Sequence, residues 1–272
     1  MDALVNQEWD QPWEIVLSDN NSSDRSVEIF NEYAKKNPHI AMRVVDASQI
    51  QGQPHALNEG VRQARGRSVA FCDSDDVVAP GWLSAMGNAL EEYDFVAARM
   101  DLETLNSEGV PHYRSNAQET TLPTIAYPPY LHHAGGGTIG VRKEVFENIG
   151  EFDHTLPILH DTDFCFRAQL AGFQMHYVPE SVIRIRLRGD PESIYRQARN
   201  YGEYNVKLSK RYRKFGKPQP NRWKRFLRSW YRILRSWHHK RADIDEQARF
   251  TWRYGWEMGR LIGALKYRVP PP

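Results

Sequence analysis

The sequence predicts an α/β protein: a mostly parallel β-sheet with helices on both faces, followed by a helical extension. Short, continuously apolar runs alternate along the chain with segments whose apolar residues recur at helical spacing. This is the pattern of strands buried between two layers of helices. Two of the runs end in polar, acid-rich loops, and ligands of such sheets bind where the strands end. At 272 residues with 40 % apolar content, the chain can bury a full core.

The first part of the chain supplies strands and helices in alternation. The run "WEIVLS" (13–18) predicts a strand because it is apolar without interruption and stops at the polar "DNNSSD". Residues 24–37 carry apolar side chains at helical spacing and are followed by Pro38, which ends a helix. The same reasoning predicts a strand at 40–45, a helix at 54–66, a strand at 68–72, a helix at 80–92 and a strand at 94–100.

The C-terminal part has a different composition. Long helices are predicted at 191–216, 221–241 and 248–269. Residues 204–242 hold 14 of the 36 Lys and Arg residues and none of the 34 acids. Because such an asymmetry indicates different partners for the two parts, we expect one α/β domain at 1–190 and a basic, aromatic-rich helical extension at 191–272.

Cysteine content and hydropathy indicate the compartment. Only Cys72 and Cys165 are present, so we expect no disulfide framework, and a reducing cytosol fits. No window approaches the length of apolar chain that a membrane span needs, and residues 1–20 carry acids and tryptophans rather than the features of a signal peptide. We therefore expect a cytoplasmic protein.

Three carboxylates crowd into four positions directly after the third predicted strand. They are Asp73, Asp75 and Asp76, in the stretch "FCDSDDVVAPGWL" (71–83). Like charges this close repel each other unless a cation or hydrogen-bond donors compensate. Mg²⁺ or Mn²⁺ is the simplest compensation, because these ions use only one or two protein carboxylates beside water and phosphate oxygens. The loop therefore points to a nucleotide diphosphate, and a solvated turn that caps the helix near Pro80 is the alternative.

Four segments carry short motifs in a fixed order. They are "EIVLSDNNSSD", "ALNEGVRQARGRSVAFCDSDD", "GGGTIGVRKEVFENIGEFD" (135–153) and "HDTDFCFRAQLAG" (160–172). In this order they resemble the D-D-G-S-x-D loop, the A-x-N-x-G helix with its D-x-D strand, the small-residue segment and the E-D-x-D helix of the family 2 glycosyltransferases. The match covers roughly residues 4 to 190. It implies the GT-A fold, a Rossmann-like nucleotide-diphospho-sugar transferase fold.

The resemblance implies donor-binding roles for residues near the strand ends. It assigns Asp19 to the nucleotide base or ribose and Asp73 to the ribose side, and it places Asn58 among the donor-binding residues. It assigns Asp75, the second acid of D-x-D, to the metal that bridges the diphosphate. A metal ion there would hold the negative charge that develops as the nucleoside diphosphate leaves.

The resemblance also implies that Asp161 is the catalytic base. A carboxylate at the start of a helix can remove the proton of the acceptor hydroxyl while that oxygen attacks the anomeric carbon from the opposite face, which inverts this centre. Asp161 could instead cap the helix that begins near Thr162, and Asp163 fits such a cap at least as well. His160 stands where the family usually has Glu, so a second carboxylate is absent and a histidine lies on the acceptor side.

The stretch "YPPYLHHAGGG" (127–137) is predicted to line the acceptor side, because Gly135, Gly136 and Gly137 permit close approach of the backbone to a ligand. Arg184 stands where the family often has a metal-binding histidine. Arginine cannot ligate a metal but can pair with a diphosphate. The family's first strand would precede the helix that contains "ALVNQ", so we expect the domain to be N-terminally incomplete here.

One helix of the extension, at 221–241, carries a stripe of apolar and aromatic side chains among Lys and Arg. Its members are Trp223, Phe226, Leu227, Trp230, Ile233, Leu234 and Trp237. A cationic helix rich in tryptophan suits an anionic membrane surface, which predicts a peripheral protein at the cytosolic face of the membrane. Packing of the stripe as ordinary core is an open alternative. We expect no nucleic acid partner, because no recognised reading motif is present.

The sequence thus predicts an inverting, metal-dependent glycosyltransferase. It would move a sugar from a nucleotide-diphosphate donor to a hydroxyl of a lipid-linked or cell-envelope glycan. One rival is a catalytically silent GT-A scaffold or membrane-binding module, motivated by the expected missing strand, His160 and Arg184. The other rival is a nucleotidyltransferase, which shares the sheet topology and acidic loops but is disfavoured by the Asp161 helix.

Overall fold

The computed structural model describes residues 1–106, 109–217, 219–236 and 243–272. The chain divides into two compact units. Unit 1 comprises Met1–Asp101, Gln118–Leu122 and His133–Arg184. Unit 2 comprises Leu102–Ala117, Pro123–His132 and Ile185–Pro272.

Unit 1 holds the strands and the shorter helices. Its strands are β1 (Glu14–Asp19), β2 (Ala41–Asp46), β3 (Ser68–Ala70), β4 (Val77–Val78), β5 (Phe95–Asp101), β6 (Ile139–Arg142) and β7 (Met175–Arg184). Its helices are α1 (Asp2–Val5), α2 (Ser26–Lys36), α3 (Gln53–Gln63), α4 (Trp82–Glu92), α5 (Lys143–Ile149) and α6 (His160–Leu170). Each strand and helix predicted between residues 13 and 100 is confirmed, with ends that differ by at most three residues.

The strands form one parallel pair and one mixed sheet. β1 and β2 pair in parallel, with Asp19 opposite Asp46. The five-stranded sheet has the order β3-β6-β5-β7-β4, in which β5 and β7 are parallel and the other three pairs are antiparallel. The α/β class is confirmed, whereas the prediction of a mostly parallel sheet is corrected. β4 and β6 begin at the edge where their neighbours end, so they run in the opposite direction.

Helices cover both faces of the mixed sheet, as predicted. On one face, Phe95 of β5 contacts Phe164 of α6 edge to face, with ring centroids 5.9 Å apart. On the other face, Val96 and Gly140 lie against α4: a Cβ added to Gly140 would meet the Met86 sulfur and would lie 2.8 Å from Val96. Successive strand residues point to opposite faces, so the continuously apolar strands pack against helices on both faces of the sheet.

Unit 2 contains the three long helices that the sequence predicts for the extension. They are α7 (Pro191–Tyr212), α8 (Arg222–Arg235) and α9 (Ile244–Tyr267). α9 begins earlier than predicted because Asp243 caps it, with its carboxylate accepting the Glu246 N–H at 2.9 Å. Residues 237–241 of the predicted second helix, including Trp237, lie outside the described residues. In the part of the chain that the structure describes, no helix is both long and apolar enough to cross a bilayer.

Glycines let α7 and α9 pack with their backbones almost in contact. A Cβ on Gly259 of α9 would meet the carbonyl oxygen of Arg199 and would lie 2.8 Å from the Glu203 nitrogen, both on α7. Gly255 and Gly263 face α7 in the same way. Any side chain on this face would push the two helices apart.

We expect Gly259→Ala to lower the free energy of unfolding by about 1–3 kcal/mol, because overpacking at this contact exceeds the gain in helix propensity. Urea unfolding followed by tryptophan fluorescence measures the change. Gly189→Ala is the matched control, since no atom lies within 4 Å of its added Cβ, and it should change stability by less than about 0.5 kcal/mol. Equal unfolding midpoints for the two variants would contradict this account of the packing.

Candidate active site

Three strands of the mixed sheet end at the same edge. β6 is antiparallel to both β3 and β5, and β5 is parallel to β7, so β3, β5 and β7 run in one direction. Asp101 ends β5 and Arg184 ends β7, and these two residues are partners in the register. The carboxyl ends of the strands therefore form one continuous rim, which is where ligands bind in α/β sheets.

The acid-rich loop crosses this rim. β3 and β4 are the outer strands of the sheet, and only residues 71–76 connect them. A segment this short must pass directly along the rim from one outer strand to the other. Asp73 consequently lies near the end of β3, and Asp75 and Asp76 lie toward β4, whose Val77 pairs with Arg184. The local negative charge and burial together raise the pKa of the neighbouring Cys72 to about 12, with burial the larger cause.

Asp73 is connected to the loop that follows β1. Its carboxylate accepts a hydrogen bond from Gln53 Nε2 at 2.9 Å. The preceding residue, Gly52, donates its N–H to Asn20 Oδ1 at 2.8 Å. Asp19, next to Asn20, ends β1 and accepts the Ser22 N–H at 3.2 Å. The start of α3 thus holds the ends of β1 and β3 in a fixed relation.

The three glycines form a tight turn between two of the predicted acids. The 3₁₀ turn Gly136–Thr138 precedes β6 directly. A Cβ on Gly137 would lie 3.0 Å from the Cγ and the backbone nitrogen of Asp73. The N–H of Gly136 donates to Asp161 Oδ2 at 2.9 Å. We call this segment, Gly135 to Thr138, the glycine turn. Asp73 and Asp161 both lie next to it.

Gln118 forms hydrogen bonds with the first and last residues of the glycine turn. Its Oε1 accepts the Gly135 N–H at 3.1 Å, and its Nε2 donates to Thr138 Oγ1 at 2.7 Å. Nε2 also donates to the Ala98 carbonyl of β5 at 2.9 Å. Sequence reasoning missed Gln118, because it belongs to no motif and only the folded chain reveals its partners.

Asp161 and Asp163 lie in the first turn of α6 but have different surroundings. Asp163 is buried and accepts a hydrogen bond from Arg167 Nε at 2.8 Å. Asp161 instead accepts backbone N–H groups, from Gly136 and, at 2.7 Å, from Thr162. Among the described residues it makes no ion pair. Asp163 therefore stabilises the fold, while Asp161 is oriented by the backbone N–H groups of the glycine turn and of its own helix.

His160 begins α6 and is buried beside Asp161. Its ring packs edge to face on Phe152, with centroids 5.5 Å apart, and Nε2 lies 3.9 Å from the Cβ that Gly136 lacks. Within the described chain neither ring nitrogen has a hydrogen-bond partner of good geometry. Burial lowers the pKa of His160 below its usual 6.5, and the Asp161 charge opposes this only in part. The imidazole is therefore neutral near pH 7.

Asn58 and Arg184 have structural contacts as well as predicted functional roles. Asn58 is buried in α3, donates to the Phe152 carbonyl at 2.9 Å and accepts the Phe152 N–H at 3.0 Å. Arg184 Nε lies 3.9 Å from Asp101 Oδ2, and this nitrogen has no hydrogen-bond partner among the described residues. Their predicted contacts with a donor stay predictions.

The acidic rim offers few protein ligands for a metal ion. Nowhere in the described ranges do three His, Cys, Asp or Glu side chains gather to hold an ion by themselves. Asp75 is an exposed carboxylate at the rim. One such oxygen donor fits an ion that completes its shell with water and phosphate oxygens, as Mg²⁺ and Mn²⁺ commonly do. It does not fit an ion enclosed by protein ligands alone.

The mixed sheet, the acidic rim and helix α6, which carries Asp161 in its first turn, define a protein of the nucleotide-sugar transferase type, with the GT-A fold. The chain belongs to glycosyl transferase family 2, because the model of that family matches residues 1–150. A mannosyltransferase from Pyrobaculum calidifontis, in complex with GDP-Man and Mn²⁺, superposes with a TM-score of 0.67 at 17 % identity over 97 % of this chain and 82 % of that one. Staphylococcus aureus TarS, in complex with UDP-GlcNAc, gives 0.52 at 17 % identity over 98 % and 87 %. At these identities the likeness concerns the fold, and it confirms the GT-A prediction.

Curated relatives are similar over parts of their length. A poly(ribitol-phosphate) beta-glucosyltransferase of Bacillus spizizenii is 32 % identical over 113 residues, which are 41 % of this chain and 18 % of that protein. YibD, an uncharacterized glycosyltransferase of Escherichia coli, is 26 % identical over 228 residues, 77 % of this chain and 64 % of that protein. The chain thus spans less than two thirds of the length of each of these relatives.

We expect Gly137→Ala to weaken the binding of a nucleoside diphosphate with Mn²⁺ by about tenfold or more, because the added Cβ displaces Asp73. Calorimetry with UDP and with GDP measures the change. Gly136→Ala is the control, because its Cβ would lie 3.5 Å from the nearest atom, an ordinary contact. If both variants bind as the wild type does, the glycine turn does not position Asp73 for the donor.

The lowered pKa of His160 has a consequence for stability. The folded state binds fewer protons at this site than the unfolded state, so the free energy of unfolding should fall as the pH drops below 6.5. Urea unfolding between neutral and acid pH should show that His160→Asn loses part of this dependence. The exposed His39→Asn variant should retain it. Parallel pH profiles for wild type and His160→Asn would show that the buried imidazole is not the cause.

Proposed function

We propose that this chain carries the catalytic domain of an inverting, metal-dependent glycosyltransferase that uses a nucleotide-diphosphate sugar. The observation that carries the proposal is the glycine turn. It contacts Asp73, an acid of the donor side, through Gly137, and it binds Asp161, an acid at a helix start, through Gly136. A donor sugar and an acceptor hydroxyl need two such acids on either side of one reaction centre.

On the donor side, the acids at the sheet rim have separate roles. Asp19 and Asp73 bind the base and ribose part of the nucleotide, with Asn58 supporting this side. Asp75 would hold Mg²⁺ or Mn²⁺, and Arg184 adds positive charge at the same rim. The ion, when bound, supplies positive charge against the leaving diphosphate without any proton transfer.

On the acceptor side, Asp161 accepts the proton of the acceptor hydroxyl. The hydrogen bonds from Gly136 and Thr162 fix the plane of the Asp161 carboxylate. Its oxygens are therefore already oriented when the acceptor hydroxyl binds. The acceptor oxygen then attacks the anomeric carbon opposite the departing diphosphate, and one displacement inverts that centre. Gly135, Gly136, Gly137 and the neutral His160 line the acceptor side.

The acceptor in this proposal is a lipid-linked or cell-envelope glycan, and the enzyme works as a peripheral protein at the cytosolic face of the membrane. Two matched relatives are named as enzymes that act on poly(ribitol-phosphate), which supports a polymer of the cell envelope as acceptor. The basic, aromatic-rich segment 221–241 supports contact with an anionic membrane surface.

The experiment that tests the proposal measures release of nucleoside diphosphate from UDP-GlcNAc, UDP-glucose and GDP-mannose with Mn²⁺. Asp161→Asn should bind the accepted donor normally yet lower turnover by about 10²–10⁴-fold, because only the base is lost. Asp75→Asn should lower metal-dependent turnover by about a hundredfold or more. The exposed Asp10→Asn variant should behave as the wild type.

Three outcomes would contradict the proposal, each in a different way. Transfer of the nucleotide instead of the sugar would identify a nucleotidyltransferase. Failure of the wild type to bind UDP or GDP would favour the silent scaffold. Unchanged turnover in Asp75→Asn or Asp161→Asn would refute the role of that residue.

A further inference from the structure

The structure divides the predicted apolar stripe of α8 between two different surroundings. Phe226 and Ile233 are only 3 % and 4 % exposed. On the same side of the helix, Ser229 donates a hydrogen bond to Glu257 of α9 at 2.7 Å. Arg260 of α9 lies over the Phe226 ring at 5.4 Å. This side of α8 is therefore part of the packing of unit 2.

Four other apolar side chains of α8 face solvent, whereas Trp230 is half-buried and contacts the rings of Phe226 and Tyr254. Trp223, Leu227, Tyr231 and Leu234 are 49 %, 64 %, 59 % and 65 % exposed. Their spacing of four, four and three positions puts them on one line along a helix. We call these four residues the exposed apolar stripe. Single exposed apolar residues are common, but a line of four large ones on a single helix indicates an interaction surface.

A line of positive charge runs beside the exposed apolar stripe. Lys224, Arg228, Arg232 and Arg235 each follow a member of the stripe by one position, and all four are exposed. We call them the basic stripe. Helix α8 contains no acid between Arg222 and Arg235. The two stripes share the solvent-facing side of a helix that is about 21 Å long.

We propose that the exposed apolar stripe and the basic stripe together form a docking surface for an anionic lipid bilayer. The helix lies in the plane of the interface, with Trp223, Leu227 and Leu234 reaching into the boundary between head groups and acyl chains. The long basic side chains extend to the phosphates beside it. Both stripes are then used at once, and Trp223 and Tyr231 have the amphipathic rings that suit this depth.

Charge and shape argue against the other possible occupants. In an antiparallel pair of α8 helices from two copies of this chain, the basic stripes would approach each other and repel. Nucleic acid would satisfy the basic stripe through its phosphates, but it would leave Leu227 and Leu234 in water. A bilayer with anionic head groups offers both a negative surface and an apolar layer beneath it.

The inference deepens the proposed membrane location and rests on it, but it does not depend on the chemistry at the glycine turn. Vesicle binding requires neither donor nor acceptor. Its failure would therefore leave the glycosyltransferase proposal intact, and a silent active site would leave the docking surface intact.

The experiment is co-sedimentation of the full chain with vesicles of phosphatidylcholine, alone or mixed with phosphatidylglycerol. The wild type should bind the mixed vesicles and not the neutral ones. The double variant Lys224→Gln/Arg228→Gln should lose about 25-fold in affinity, at about fivefold per basic residue. Leu227→Asp should lower binding to the mixed vesicles to the level seen on neutral ones.

Matched controls separate docking from general effects of charge and folding. Lys35→Gln/Lys36→Gln in α2 removes the same charge, and Leu170→Asp in α6 makes the same polar change at an exposed apolar residue, so both should bind vesicles as the wild type does. Circular dichroism and calorimetry with UDP or GDP should be unchanged in Leu227→Asp, since this residue is 64 % exposed.

Four results would overturn the proposal. The wild type could fail to bind the mixed vesicles, or it could bind them with an affinity that Leu227→Asp leaves unchanged. It could bind duplex DNA more tightly than the mixed vesicles, which would assign the basic stripe to nucleic acid. It could form a dimer in ultracentrifugation that Leu227→Asp dissociates, with no vesicle binding, which would assign the apolar stripe to a second copy.

Discussion

The arrangement of the site depends on the absence of a side chain at Gly137. A Cβ there would lie 3.0 Å from both the Cγ and the backbone nitrogen of Asp73, so a residue with a side chain would press on the loop that follows β3. The preceding residue, Gly136, donates its N–H to the Asp161 carboxylate. The separation of the two acids is therefore set by backbone contacts, which Gln118 holds in place. A site fixed in this way needs little reorganisation when a ligand binds.

The first turn of α6 shows how position alone divides two aspartates into different tasks. Asp163 points into the core, where burying a carboxylate without a partner would be costly, and Arg167 supplies that partner. The same guanidinium binds the carbonyls of Ile149 and Glu151, so this pair ties α6 to the end of α5. Asp161 lies on the side that faces the glycine turn, where it accepts the N–H groups of Gly136 and Thr162 and, at 3.4 Å, the Thr162 hydroxyl. Of these two aspartates, Asp163 is the one that pairs with Arg167, and Asp161 is the one held at the glycine turn.

Local pattern was sufficient to predict where strands and helices lie, because apolar periodicity and breakers such as Pro38 and Gly66 act over a few residues. It was insufficient for strand direction, since β6 and β4 read as ordinary short apolar runs and are reversed only because of the edge at which they enter the sheet. The predicted acids at the rim follow from their position after strands. Gln118 and the pairing of Asn58 with Phe152, 94 residues away, could not be predicted, because no local signal specifies a partner so distant in sequence.

The same limit explains why the apolar stripe of α8 was predicted as one feature. An amphipathic helix buries a stripe little more than about 100° wide, and the predicted set, with Phe226 at one side and Leu227 about 100° around the axis from it, is too wide for a single contact. The side with Phe226 and Ile233 is buried in unit 2, and the side with Leu227 and Leu234 is exposed to water. Because the fold already has its contact with α9 through the first side, the exposed side is not needed for folding. Its composition can therefore be set by a partner outside the chain.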